Sequence, residues 1–216
     1  MGLAPYGEPK FVKTIFDNLV DVKEDGSFRL NQDYFDYATG LTMTNKKFDD
    51  LFGNSPRDPD NENISQFHMD IAASIQKVTE DIIIKIAKNL RKEYEIENLC
   101  LAGGVALNCV ANGKLLNEKI FNHIWIQPAA GDAGGSLGAA LGYWHNELNM
   151  KRVIKNKDSM KCSYLGPEYS DEKIKNILIN IGAKFETFSN DNLLDFTSEK
   201  LIEGKAIGWF QNKMEF

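Results

Sequence analysis

Two glycine-containing turns hold the residues best suited to chemistry: Gly103-Gly104-Val105-Ala106 and Gly131-Asp132-Ala133-Gly134-Gly135. Each follows a short apolar run and precedes a segment with helical spacing. N–H groups at a helix start lack intrahelical partners and carry partial positive charge. Glycine there lets an anion approach the backbone, so such a turn suits a phosphate. Gly103, Gly104 and Val105 are the candidates in the first turn, and Gly134 and Gly135 in the second. Neither turn fits GxGxxG or the P-loop, whose lysine is missing. Glycines at strand–helix turns also serve close packing alone, and that reading stays open. Asp132 is a carboxylate in a turn of small, uncharged residues. It can cap the following helix or offer oxygen to a divalent cation. Asn108, one helical turn past Gly104, suits a hydrogen bond to ribose or phosphate, or a pairing inside the first turn. His68, His123 and His145 fall on separate elements and make no metal set by spacing.

The surrounding pattern says how these turns are held. Ile64, Phe67, Ile71, Ile75, Val78, Ile82, Ile86 and Leu90 recur at three- and four-residue steps, which predicts one long helix from about Ile64 to about Glu93. Gln76, Lys77, Glu80, Lys88 and Arg91 are expected on its opposite, solvated face. Asn98–Ala102 is a short apolar run, expected as a strand buried on both faces. Val105–Glu118 reads as a helix and His123–Ile126 as a second strand. A further helix follows to about Leu148, with Leu137, Ala140, Leu141 and Trp144 turned inward. Strand, turn and helix in succession predict an α/β layer with a largely parallel sheet. Both glycine turns would then lie at the carboxyl edge of that sheet, where open α/β folds bind ligands.

Upstream, Phe11, Ile15 and Leu19 mark a short amphipathic helix. Phe28–Leu30 and Tyr34–Tyr37 read as short strands. Downstream, Lys151–Lys161 reads as a linker. Ser170 is expected to cap a helix over Asp171–Asn180, followed by a strand at Lys184–Phe188, a helix at Asn192–Ile202 and a strand at Ala206–Phe210.

Composition narrows the class. The chain has 216 residues, 43% hydrophobic and 26% charged, with a formal net charge of −6. It can build a core. The acidic balance argues against nucleic acid as a partner. No apolar run approaches the ~18–20 residues that span a bilayer, and the N-terminus shows no signal-peptide core, so membrane and secreted classes are disfavoured. Three cysteines (Cys100, Cys109 and Cys162) without a CxxC pair suggest buried thiols in the reducing cytoplasm.

Several segments together resemble the NodU-type O-carbamoyltransferases. They are LCLAGGVALNCVAN from Leu99 to Asn112, IWIQPAAGDAGGSLGAA from Ile124 to Ala140, and MGLAPYG at Met1–Gly7. Tyr164–Pro167, Gly208–Gln211 and Met214–Phe216 look like the opening of that family's C-terminal part. The resemblance implies an actin/Hsp70-like (RNase H-like, ASKHA) half-domain over residues 1–160 and the truncated start of an α/β YrdC-like domain over 161–216. It implies ATP and carbamoyl phosphate as substrates, a carbamoyl-adenylate intermediate, a hydroxyl acceptor on a sugar, antibiotic or related metabolite, and a divalent metal, iron in most members. Carried over by motif, Gly103, Gly104, Val105 and Asn108 line the nucleotide, and Asp132 binds the metal. The family's paired metal-ligand histidines have no counterpart here, and the chain reads as an inactive middle fragment. Self-association is left open. The competing readings are a non-catalytic nucleotide-binding ASKHA-type module and, on the same superfold, a sugar kinase, for which the sequence offers no good catalytic aspartate.

Overall fold

The computed structural model describes residues 1–154, 158–160 and 163–215. They divide into two compact units, Met1–Ala140 and Leu141–Phe216.

The first unit is organised by one long helix. Helix α1 (Val12–Asn18), strands β1 (Val20–Val22) and β2 (Phe28–Leu30) and helix α2 (Lys46–Phe52) precede helix α3 (Gln66–Tyr94). The heptad-like apolar spacing thus produces a helix of 29 residues, within two residues of expectation at its start. Ser65 caps it, and His68 completes a capping box through a 2.9 Å bond from the Ser65 N–H to Nδ1. His68 is therefore a capping residue.

Against one side of α3 lies a core of Ile15, Leu19, Val20, Phe52 and Val78. Phe11 meets Phe52 and Phe67 edge-on at 5.5 and 5.6 Å. The expected strand at Tyr34–Tyr37 is instead a 3-10 turn over Gln32–Tyr34, followed by a single bridge between Phe35 and Thr44. Asn31 caps that turn, accepting from the Asp33 N–H, and so pulls the backbone away from extension.

The Met1–Gly7 segment is bolted to the start of α3. Asp70 is buried and accepts from the Glu8 N–H at 2.8 Å, Gln66 Nε2 at 2.8 Å and Lys10 Nζ at 2.9 Å. A Cβ on Gly7 would fall 2.0 Å from the Met69 carbonyl oxygen, so only glycine fits the approach. The Glu8 N–H foremost, then Gln66 and Lys10, hold the Asp70 carboxyl from 3.8 down to about 2. A depressed carboxyl stabilises the fold fully above its ordinary value, and that contribution is lost as pH falls towards about 2. Asp70→Asn should therefore lower the melting temperature at neutral pH and flatten its fall between pH 4 and 2. Thermal melts across that range, read by circular dichroism, check this; parallel acid limbs would refute it.

Beyond α3 come strand β3 (Asn98–Leu101), a 3-10 turn (Gly104–Leu107), helix α4 (Cys109–Asn117), strand β4 (His123–Ile126), a 3-10 turn (Asp132–Gly134) and helix α5 (Gly135–Gly142). β3 and β4 pair in parallel, Asn98 opposite His123 and Leu101 opposite Ile126. A second core of Ala87, Leu115 and Phe121, with Leu99, Leu101 and Ile124 against it, joins α3, α4 and this sheet.

Three expectations fail here. The strands are not buried on both faces: Leu99, Leu101, Ile124 and Ile126 are half-buried, whereas Cys100 and Trp125 on the other face are exposed. Leu137, Leu141 and Trp144 are exposed, not inward. Cys100 and Cys109 are exposed thiols. Among the described residues no second layer covers the sheet face that carries Cys100 and Trp125. Cys162 lies outside the described residues.

The second unit holds helices α6 (Asp171–Asn180) and α7 (Asn190–Ile202): Ser170 caps the first as expected, accepting from the Lys173 N–H, and Ser189 caps the second, which starts two residues earlier than expected, accepting from the Asn192 N–H. The strands expected at Lys184–Phe188 and Ala206–Phe210 do not form. A strand exists only with a paired neighbour, and the sole pairing among the described residues of this unit is the bridge between Glu168 and Lys213.

Candidate functional site

The first glycine turn departs from the simple strand-to-helix picture. Gly103 has a φ of +96°, a conformation that side chains resist, and it swings the chain off the end of β3. One 3-10 turn follows, and then the chain breaks at Asn108 and restarts as α4. The helix predicted over Val105–Glu118 is thus split. The cause is Asn108, whose Oδ1 accepts the Ala111 N–H at 3.1 Å and caps the second helix.

The turn is braced on several sides. Ala106 N–H donates to the Gly103 carbonyl at 3.0 Å, Asn108 N–H to the Val105 carbonyl at 2.9 Å, and Asn112 Nδ2 to the Ala106 carbonyl at 2.7 Å. Ala106 is buried beneath it. Gly104 and Val105, by contrast, are exposed, and neither gives its N–H to another group among the described residues. Two backbone donors therefore face outward from a fixed frame.

The second turn sits directly beside the first. Gln127 N–H continues the sheet ladder to the Leu101 carbonyl at 3.1 Å, and the Gly103 N–H donates to the Ala130 carbonyl at 2.8 Å. Ala129 and Ala130 are buried, and a Cβ on Gly134 would come 2.0 Å from the Ala129 carbonyl oxygen. The turn thus folds onto its own entry strand, which only glycine permits. The N–H groups of Gly134 and Gly135 are spent inside the turn, on the carbonyls of Gly131 and Asp132. Donors left unspent in it include the N–H groups of Asp132 and Ala133. The turn is a 3-10 turn and not the first turn of an α-helix, which is why the N–H groups of Gly134 and Gly135 are engaged within it.

Asp132 is exposed, and its carboxylate neither caps the turn nor pairs with any group among the described residues. As a hard oxygen donor it fits one position around a divalent ion such as iron. It does not make a site alone: no three His, Cys, Asp or Glu converge among the described residues.

Asn108 faces the other way. Its Nδ2 donates to Gln76 Oε1 at 2.9 Å, and its Oδ1 accepts from Gln76 Nε2 at 3.1 Å. Gln76 also donates to Glu80 at 2.8 Å, and the Glu80 carboxylate takes an ion pair from Lys114. Gln76 and Glu80 are both buried, contrary to the solvated face assigned them. A buried polar side chain must be hydrogen-bonded, and here the partners come from α4 and its cap, 32 and 34 residues away in sequence.

A hollow of about 550 Å3 opens between Phe16, β1 and Lys88 of α3, and contains no residue of either glycine turn. Another of about 200 Å3, almost wholly apolar, lies behind the first turn against Leu99, Leu101, Val105 and Leu115.

The model for the carbamoyltransferase N-terminus matches residues 1–141. The chain is 55% identical over its whole length to the protein sll1178 of Synechocystis, of which it covers 35%. It is 35% identical to the nodulation protein NolNO of Sinorhizobium fredii and 32% identical to the nodulation protein NolO of Bradyrhizobium diazoefficiens, again over its whole length, covering 30% and 37% of them. The chain thus spans about a third of the length of these relatives. No helix among the described residues is long and apolar enough to cross a membrane. With the family model matched through both glycine turns, the chain belongs to the carbamoyltransferase family.

Proposed function

We propose that this chain supplies the nucleotide-phosphate edge of an ATP-dependent O-carbamoyltransferase. The observation that carries the reading is the pair of abutting turns. They offer four unspent backbone N–H groups, from Gly104, Val105, Asp132 and Ala133, at the carboxyl edge of one parallel sheet. Such donors suit the phosphate of an adenylate.

The first unit then serves as half of an actin/Hsp70-like ATPase domain, and residues 161–216 begin a YrdC-like domain. The substrates are ATP and carbamoyl phosphate, in the cytoplasm: carbamoyl phosphate gives up its phosphate to water, and an oxygen of the carbamate formed attacks the α-phosphorus of ATP, releasing pyrophosphate and leaving carbamoyl-adenylate. In the transfer step, the oxygen of an acceptor hydroxyl attacks the carbamoyl carbon. The bond to the adenylate oxygen breaks, AMP leaves with its electron pair, and the hydroxyl proton goes to a base. Gly104 and Val105 hold the phosphate, so that negative charge growing on the leaving oxygen meets fixed dipoles. Gly103, Gly134 and Gly135 give the turns the shape that exposes those donors, and Asn108 anchors the first turn. Asp132 lends one oxygen ligand to a divalent iron, which when bound would polarise the carbamoyl carbonyl. This activity is assigned to the full-length protein.

The test is to incubate the full-length protein with ATP and carbamoyl phosphate and to quantify pyrophosphate and AMP by chromatography. Pyrophosphate release that requires carbamoyl phosphate is expected. ATP binding with no such release would instead make this a non-catalytic nucleotide-binding module.

A further inference from the structure

We propose that Glu80 and Gln76, on α3, are positioning residues that set the first glycine turn for its nucleotide. This rests on the reading that Gly104 and Val105 hold a phosphate. The four side chains form a closed ring between α3 and α4. Lys114 pairs with Glu80, Glu80 accepts from Gln76 Nε2, Gln76 exchanges two hydrogen bonds with Asn108, and Asn108 caps the helix that carries Lys114.

The ring has a built-in polarity. A carboxylate only accepts, so Glu80 draws the NH2 end of Gln76 towards itself. Nε2 then has one hydrogen left, and it goes to Asn108 Oδ1. Gln76 Oε1 must in turn face Asn108 Nδ2. That is the same orientation in which Asn108 Oδ1 can accept the Ala111 N–H. A reversed Gln76 would set oxygen against oxygen and nitrogen against nitrogen. The charge on Glu80 therefore fixes both amides, and through Asn108 it fixes the residue where the 3-10 turn of Gly104–Leu107 hands over to α4. Glu80 is 2% exposed and Gln76 8%, and both line, with Lys114, an open hollow of about 240 Å3.

The test is Glu80→Gln in the full-length protein. Lys114 is half-exposed and stays hydrated when its partner becomes neutral, so folding is expected to survive. With the charge gone, the glutamine at 80 accepts or donates equally well and Gln76 loses its fixed sense. The KM for ATP should rise about fivefold or more, with kcat within about twofold of wild type. A merely structural role would lower the melting temperature and the active fraction, hence kcat, and leave KM unchanged; that result would overturn the proposal. Gln76→Met keeps the volume but removes the relay, and should reproduce the rise in KM should Glu80→Gln fail to fold. Gly104→Val serves as the reference. If it weakens ATP while the two α3 variants do not, the positioning role alone fails. If it too leaves ATP unaffected, the nucleotide reading fails with it.

Discussion

Replacing Asp132 with alanine should cut carbamoyl transfer by the full-length protein about 100-fold or more, the scale of losing one preorganised electrostatic group at a reacting centre. Bound iron, measured by mass spectrometry of the metal, should fall well below one per chain. The side chain is exposed and unpartnered among the described residues, so the fold loses nothing by its removal. The backbone N–H that faces outward at this position survives in alanine, and a negative charge beside the phosphates disappears. Affinity for ATP should thus be held or slightly raised. Asp132→Asn, which keeps an oxygen but not the charge, should fall between the two. Undiminished transfer with full metal occupancy in Asp132→Ala would remove Asp132 from the metal site. Lost ATP affinity would instead assign its carboxylate to the nucleotide.

What the sequence disclosed follows the range of the interactions involved. The long helix was legible because its period is local: the apolar steps from Phe67 to Leu90 need no knowledge of partners. The abutment of the two turns was legible as well. Two apolar strands each ending in glycine imply parallel neighbours, and the bond from the Gly103 N–H to the Ala130 carbonyl realises that arrangement. Gln76 and Glu80 were placed on the wrong face because hydropathy scores a side chain by its own chemistry. Their burial is made tolerable by Asn108 and Lys114, which no local window contains. Helix α2 was missed although its signals are present: Asn45 caps it, accepting from the Lys47 N–H, and Phe48, Leu51 and Phe52 give it an apolar face. The break at Asn108 was also readable, since asparagine is a favoured cap and a poor helix interior.

The glycines of the two turns now separate into those that shape and those that admit. At Gly134 a methyl would strike the Ala129 carbonyl, so any substitution there reports on folding as well as binding. Gly103 carries a positive φ and has the same ambiguity. Gly104 is different: nothing lies within 4 Å of the position its Cβ would occupy, and its φ lies outside the positive range. Valine there places its Cβ in open space, with little change in helix preference relative to glycine. If that space is where a phosphate approaches Gly104 and Val105, the fold will not notice the change and the nucleotide will.

The most direct measurement is therefore calorimetric titration of ATP into full-length wild type and Gly104→Val, alongside their thermal melts. The account predicts at least a tenfold loss of affinity, about 1.4 kcal/mol, with melting temperatures within about 2 °C of each other. Equal affinity in two equally stable proteins would contradict it, since ATP would then be bound without the turn at the end of β3.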